Sequence, residues 1–195
     1  QIGAIIRYTI DGSVPTVSSS LFSGPITIDT TLVVRARVFL TGSLPSTTVT
    51  NTYFINENIH LPVFSISTHP YNLFDTDSGI YVFGPNADSL HFPYFGSNFW
   101  QDWKKPSALE FYDKAKNRVL RFDADLSIYG NYSRGNPQKG LEISLSGKYS
   151  TKSFNYPFYD DKPYISTGLN DIVLRAAGTD NCQLHYRDHL MEREL

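Results

Sequence analysis

VLRFDADLSIYGNYSRGNPQKGLEISL, residues 119–145, decides how the rest of the chain is read. Leu120, Phe122, Ala124, Leu126 and Ile128 alternate with Arg121, Asp123, Asp125, Ser127 and Tyr129. A period of two with one apolar face predicts a half-buried strand. Leu141, Ile143 and Leu145 restart the pattern, so a second strand follows. Between them lies the polar segment GNYSRGNPQKG, with Arg134 near its middle and Lys139 near its end. On strict alternation Lys139 would share the face of Leu141. The second strand is therefore expected to start at Gly140, with the glycine breaking phase and Lys139 off the apolar face. Two readings of the connection stay open. A Gly-rich loop with N–H groups unused by the ladder, flanked by two cations, can hold an anion such as phosphate. A long hairpin loop whose charges are simply solvated uses the same residues.

Outward from this pair, ALEFYD (108–113) reads as a preceding strand and DKAKN as the turn between. Upstream, FGPNADSLHFPYFGSNFWQDWKKP (83–106) has no strict period but crowds Phe92, Tyr94, Phe95, Phe99, Trp100 and Trp103 together. Such a cluster either caps a sheet under a long loop or serves as a stacking platform for a ligand; its size favours packing. Asp75, Asp77 and Gly79 resemble the opening of a calcium loop. The glycine is one place early and no glutamate closes the loop, so a tight turn is expected and no metal is assigned. LPVFSIST (61–68) is a strand and Pro70–Phe74 a short helical turn. Downstream, SFNYPFY (153–159) is extended and interrupted by Pro157, and DIVLRAA (171–177) is a buried strand. Gly178 and Asp180 then open a C-terminal helical pattern carrying Leu184, Leu190 and Met191. His185 and His189 share one face of it, without the further ligand a zinc site needs. Cys182 stands near His185 with nothing to mark it as a nucleophile.

At the other end, AIIRYTIDG (4–12), GPITI (24–28), TLVVRARVF (31–39) and VTNTYFI (49–55) are short alternating runs with turn residues between them, which predicts a small β-sandwich. Asn56–His60 is a polar junction. It divides a module at 1–57 from a second domain at 58–195, and is expected to be a hinge. The fold class expected is mainly β: a sandwich followed by an α+β domain, built on an antiparallel sheet with a C-terminal helix.

The chain has 195 residues, 18% of them charged, with a net charge of -2. That balance carries no electrostatic footprint for nucleic acid. One cysteine excludes an internal disulfide, and no run is long enough to span a membrane. No P-loop or dinucleotide fingerprint is present, and GNYSRG lacks the strand–turn–helix setting these require. Gln1 leads almost at once into a strand and Leu195 stops within a helical pattern, so a fragment of a longer exported chain is expected.

Residues 4–55 resemble the fibronectin-III-like modules found beside carbohydrate-active enzymes and at the C-terminus of chitobiase-type hexosaminidases. That resemblance implies a spacer, or alternatively a sugar-binding accessory piece. IYGNYSRGNPQKGLEISL resembles the signature segment of the spore-coat protein CotH kinase family. LPVFSIST, NLFDTDSGIYV (72–82), NFWQDWKKPSALEFYD (98–113), FNYPFYDDKP (154–163) and IVLRAAGTDNCQLHYRDHLM (172–191) fall in that family's order.

The CotH resemblance covers residues 58–195. It implies an atypical protein Ser/Thr kinase lobe that binds ATP and Mg2+ in the full-length protein, with no cofactor expected on residues 1–195 alone, a protein as acceptor and an extracellular or bacterial cell-surface location. Arg134 and Lys139 would contact the phosphates, and loss of Lys139 would weaken ATP binding while changing folding little. Asp188 or Glu192 would form an ion pair with Lys139. The family's metal-binding and catalytic aspartates lie in a downstream lobe, so no catalytic residue is assigned and residues 1–195 alone are expected to be inactive. Gln138, Gly140 and the Ala176–Asp180 turn depart from the family pattern. A non-catalytic surface or coat protein is therefore the alternative.

Overall fold

A computed structural model of the chain describes residues 3–149, 151–158 and 167–176. It is mainly β, with two antiparallel sheets. In the first, β1 (Ile5–Thr9), β2 (Ser20–Leu21), β3 (Leu32–Phe39) and β4 (Val49–Tyr53) are ordered β2-β1-β3-β4. Arg7 faces Arg37 across β1 and β3, and Arg35 faces Thr50 across β3 and β4. The Asp-Gly signal after β1 is a turn: Asp11 accepts hydrogen bonds from the Ser13 N–H at 2.9 Å and the Ser13 hydroxyl at 2.6 Å. Gly12 takes a φ of 82°, which a residue with a Cβ adopts only under strain.

The strand expected at GPITI does not form; residues 24–28 lie outside every strand. Pro25 has no N–H to give a ladder. The edge is taken instead by β2, followed by a bond from the Phe22 N–H to the Ile6 carbonyl at 2.9 Å.

The second sheet holds β5 (Val63–Ser67), β6 (Lys105–Tyr112), β7 (Arg118–Tyr129), β8 (Gly140–Ser144) and β9 (Asp171–Leu174) in sequential order. The short helix α1 spans Pro70–Phe74, as the sequence implied. The long alternating stretch is the strand β7. Its even residues Phe122, Ala124, Leu126 and Ile128 are all buried, and Leu126 and Ile128 face Ile143 and Leu141 across β8. β6 begins earlier than the alternation indicated, taking in Lys105 and Pro106. The extended run at 153–159 contributes one isolated bridge, Phe154 to Leu169, with N–H···O bonds of 2.8 and 3.0 Å. The expected C-terminal helix, and with it Asp188, Glu192, Cys182, His185 and His189, lies outside the described residues.

By contacts the chain divides into two compact units, one of residues 1–70 with 107–122 and one of 71–106 with 123–195. The first unit buries a carboxylate. Glu110, 1% exposed, accepts from the Thr52 hydroxyl at 2.7 Å, from Arg118 at 2.7 Å and from the Tyr112 hydroxyl at 3.3 Å. Arg118 also donates to the Asn51 amide oxygen, and Thr52 is bonded to Ser65 at 2.6 Å. A buried carboxylate persists only when its lone pairs are met in this way. The second unit buries Asp125, which accepts from Lys148 at 2.8 Å and from the Tyr149 hydroxyl at 2.9 Å.

Candidate functional site

The site is built on the connection between β7 and β8. Tyr129 faces Gly140, which closes a ten-residue loop, Gly130–Lys139, on a fixed base. Gly130 leaves β7 with a φ of 123°. A 3-10 turn over Tyr132–Gly135 follows, then Asn136 and Pro137 return the chain to β8. A Cβ placed on Gly140 would stand 2.9 Å from the Tyr129 carbonyl oxygen. That contact gives a packing reason for glycine at this position.

Lys139 does not point to solvent. It is buried at 8% exposure, and its ammonium donates to the carbonyls of Arg134 at 2.7 Å and Asn136 at 2.9 Å. The ammonium lies 3.8 Å from the centroid of the Phe99 ring and 5.4 Å from that of Tyr81. Its backbone N–H donates to the Tyr81 hydroxyl at 3.0 Å, and that hydroxyl donates in turn to the Pro137 carbonyl at 3.3 Å. Burial pushes the Lys139 ammonium down to about 8. The strand does begin at Gly140, as the phase argument required. The inference drawn from that phase is corrected, however. Lys139 is packed on an aromatic ring and ties the loop together, so its removal is a folding perturbation.

Arg134 is held in a similar way. Its Nε donates to the Gly130 carbonyl at 2.7 Å, and one terminal nitrogen reaches the carbonyls of Phe99 at 3.4 Å and Trp100 at 3.3 Å. The other terminal nitrogen meets the exposed Asp102 at 3.4 Å. The guanidinium stands 5.9 Å from the Trp100 ring centroid. Both cations of the loop therefore bind main-chain carbonyls and rings of the same assembly.

Those rings come from the aromatic segment that had two readings. Phe99 is buried; Phe95 packs on Trp100 at 4.7 Å, and the Trp100 indole N–H donates to the Pro93 carbonyl at 2.8 Å. Phe92 and Phe95 both touch the ring of Tyr132, at 6.4 and 6.1 Å between centroids. The segment supports the loop from beneath. Its excess of rings beside a loop with two cations was the available signal, since desolvated cations settle on ring faces.

Above the loop's base is an open cleft of about 740 Å3. Its walls are the stretch 128–134, Gly140, Glu142 and the segment Arg175–Ala176. Arg134 is among the lining residues; Lys139 is not. Arg175 directly follows β9, and Glu142 sits in the middle of β8 opposite Ser127, whose hydroxyl donates to it at 3.1 Å. The cleft thus brings together the guanidiniums of Arg134 and Arg175, the Glu142 carboxylate, Tyr129 and Tyr132, and a loop of small polar residues. Such a set can bind a polar, multiply charged ligand by direct hydrogen bonds.

The Asp75 segment is a turn. Asp75 accepts from the N–H groups of Asp77 and Ser78 at 3.2 and 2.8 Å and from the Ser78 hydroxyl at 2.7 Å. Among the described residues no group of three or more acidic, His or Cys side chains could hold a metal ion. None of the described helices is long and apolar enough to cross a membrane.

The molecule is thus a two-sheet, mainly β protein with a polar cleft at a Gly-rich hairpin loop. Residues 1–51 match the family model of the chitobiase/beta-hexosaminidase C-terminal domain, which agrees with the module expected at this end. The match covers β1–β3 and the start of β4. No curated protein and no solved structure matches the chain.

Proposed function

We propose that residues 58–195 are the N-terminal part of a CotH-like lobe on an exported bacterial protein, and that the cleft receives the phosphates of ATP with Mg2+. One observation carries this reading: the cleft is built on the segment that bears the family signature, with Arg175 brought to it from β9. Arg175 supplies a planar, always-charged donor suited to phosphate oxygens. The turn from Gly130 to Ser133 lines the same cleft and is the stretch from which N–H donors would come, and Glu142, also in the lining, would offer a carboxylate for the cation. The donor set therefore fits a nucleotide. ATP supplies the phosphoryl group; the chain's residues bind and orient it, and Lys139 fixes the shape of the loop without touching the ligand. Among the described residues none is assigned to an acceptor hydroxyl, and phosphoryl transfer to a protein would need further carboxylates.

Calorimetric titration of the full-length protein with ATP in MgCl2 tests the reading. Binding is expected, and Arg175→Ala is expected to weaken it about tenfold or more, the scale of one charge-assisted contact. Absence of binding would overturn the nucleotide assignment and favour a non-catalytic surface or coat protein. The match at residues 1–51 favours a second reading, a carbohydrate-binding accessory role for the module. Retention of the chain on a glycan array, lost when residues 1–57 are unfolded by mutation, would support it.

A further inference from the structure

We propose that the outer edge of β4 is a concealed strand-addition surface, held shut by Tyr112, Arg118 and Arg121, whose partner is the same edge of a second copy of this chain. β4 ends the first sheet, whose order is β2-β1-β3-β4. Thr48, just before β4, and Thr50 and Thr52 within it are spaced two apart, so their carbonyls point to one side of the strand. Each of the three is met by a side chain. Arg121 donates to the Thr48 carbonyl at 3.1 Å, Arg118 to that of Thr50 at 3.5 Å and the Tyr112 hydroxyl to that of Thr52 at 3.3 Å. Three long side chains from β6 and β7 thus stand along β4 where a neighbouring strand would supply its N–H groups.

An edge strand with open carbonyls is a template for another chain, and proteins blunt such edges by shortening, charging or covering them. The opposite edge of this sheet is blunted by length, since β2 has two residues. β4 has five, and its Val49 and Tyr53 are exposed. Its protection therefore depends on the three arms, which are not held equally. Arg118 also donates to the buried Glu110 at 2.7 Å and to the Asn51 amide oxygen, and Tyr112 also donates to Glu110 at 3.3 Å. Arg121 is exposed, so the cover lifts most easily at Thr48. The partner follows from the symmetry of the pairing. In an antiparallel pair the N–H and C=O of one residue point to the same neighbour. Two β4 edges laid antiparallel about Asn51 would exchange both bonds between Thr50 of one copy and Thr52 of the other, so one surface serves both copies. Val49 would then stand opposite Tyr53, a β-branched and aromatic pair of the kind that stabilises neighbouring strands.

Sedimentation equilibrium of the 195-residue chain tests the proposal, with circular dichroism to establish that each variant is folded. The wild type is expected to be monomeric. Arg121→Ala is expected to self-associate about threefold more strongly than the wild type, and Arg121→Ala with Tyr112→Phe at least about tenfold, the scale of one or two hydrogen-bond donors removed from competition. Arg121→Lys keeps a donor and should behave as the wild type. Adding Val49→Lys to the double variant puts a charge on the edge and should return it to monomer. Hydrogen exchange reports the place: the amides of Thr50 and Thr52 should gain protection as the double variant is concentrated. If the double variant does not fold, Arg121→Ala, whose side chain is exposed, carries the test alone. Folded variants that stay monomeric overturn the proposal, as does a wild type that associates as strongly as they do. Association that survives Val49→Lys, or that protects amides away from β4, overturns it equally.

Discussion

Replacing Lys139 by methionine keeps the aliphatic stem and removes the ammonium, which sets three effects against each other. The two bonds to the carbonyls of Arg134 and Asn136 are charge-assisted. They are worth about 1.5–3 kcal/mol each when broken with the acceptors left buried. Contact with the Phe99 ring at 3.8 Å adds about 2 kcal/mol in a desolvated setting. Against these stands the cost of burying a charge. The fall of the ammonium from 10.5 to about 8 corresponds to about 3 kcal/mol of penalty on the charged form. Methionine escapes that penalty. The net loss expected at pH 7 is about 2–5 kcal/mol, well below the sum of the contacts. Urea unfolding followed by tryptophan fluorescence measures it, through a lower midpoint at unchanged slope.

A pH series separates the charge from the packing. Between about pH 8 and 10.5 the unfolded chain holds a proton on Lys139 that the folded chain has released. Stability contributed by this residue therefore rises with pH across that window. The gap between wild type and Lys139→Met should widen from pH 7.5 to pH 9.5, because the wild type sheds its penalty and the variant has none. A Lys139→Met protein as stable as the wild type at pH 7, or a gap independent of pH, would refute the description of Lys139 as a buried clamp.

Three further outcomes are expected. Glu110→Ala leaves Arg118, Thr52 and Tyr112 without their shared acceptor and should cost about 3–5 kcal/mol, read as a lower melting temperature. Glu110→Gln should lose less. Burial works to raise the pKa of Asp125, but the bonds from Lys148 and Tyr149 more than offset it and hold the carboxyl below the usual range. Its contribution is present above the unfolded value near pH ~4 and is lost as pH falls through the folded one, so Asp125→Asn should flatten the acid limb of the stability profile. Limited proteolysis should cut first among the exposed residues from Asn56 to Pro62, and the two pieces should co-elute after nicking because Thr52 and Asn51 remain bonded to Glu110 and Arg118. Early cuts elsewhere, or separation of the pieces, would count against that picture.

The strands β7 and β8 were legible because alternation is a local property. Leu120 to Ile128 and Leu141 to Ile143 each report their face without reference to distant residues. The same locality accounts for the failure at GPITI, where alternation was present but Pro25 removed a donor the ladder needs. The site was legible only as a location. That the loop from Gly130 to Lys139 could hold an anion was one of two readings its glycines and its two flanking strands left open. The direction of Lys139 did not follow, since it depends on Phe99 and Tyr81, which reach the loop from far upstream in the sequence. Glu142 and Arg175 were not singled out at all. Each sits on or just beyond a strand among alternating residues, and only the pairing of β8 with β9 brings them to one cleft.

The buried carboxylate of Glu110 bears on how portable the N-terminal piece is. The family match ends at residue 51, yet Asn51 and Thr52 bond to Arg118 and Glu110, which lie far downstream on β6 and β7. A domain swap made at the matched boundary would join a foreign β4 to a sheet whose acid and base have lost their counterparts. Two chains could share this module by homology and still fail to exchange it. A graft that carries Asn51, Thr52, Glu110 and Arg118 together should be tolerated, and these four residues would then be expected to change as a set when such modules recombine.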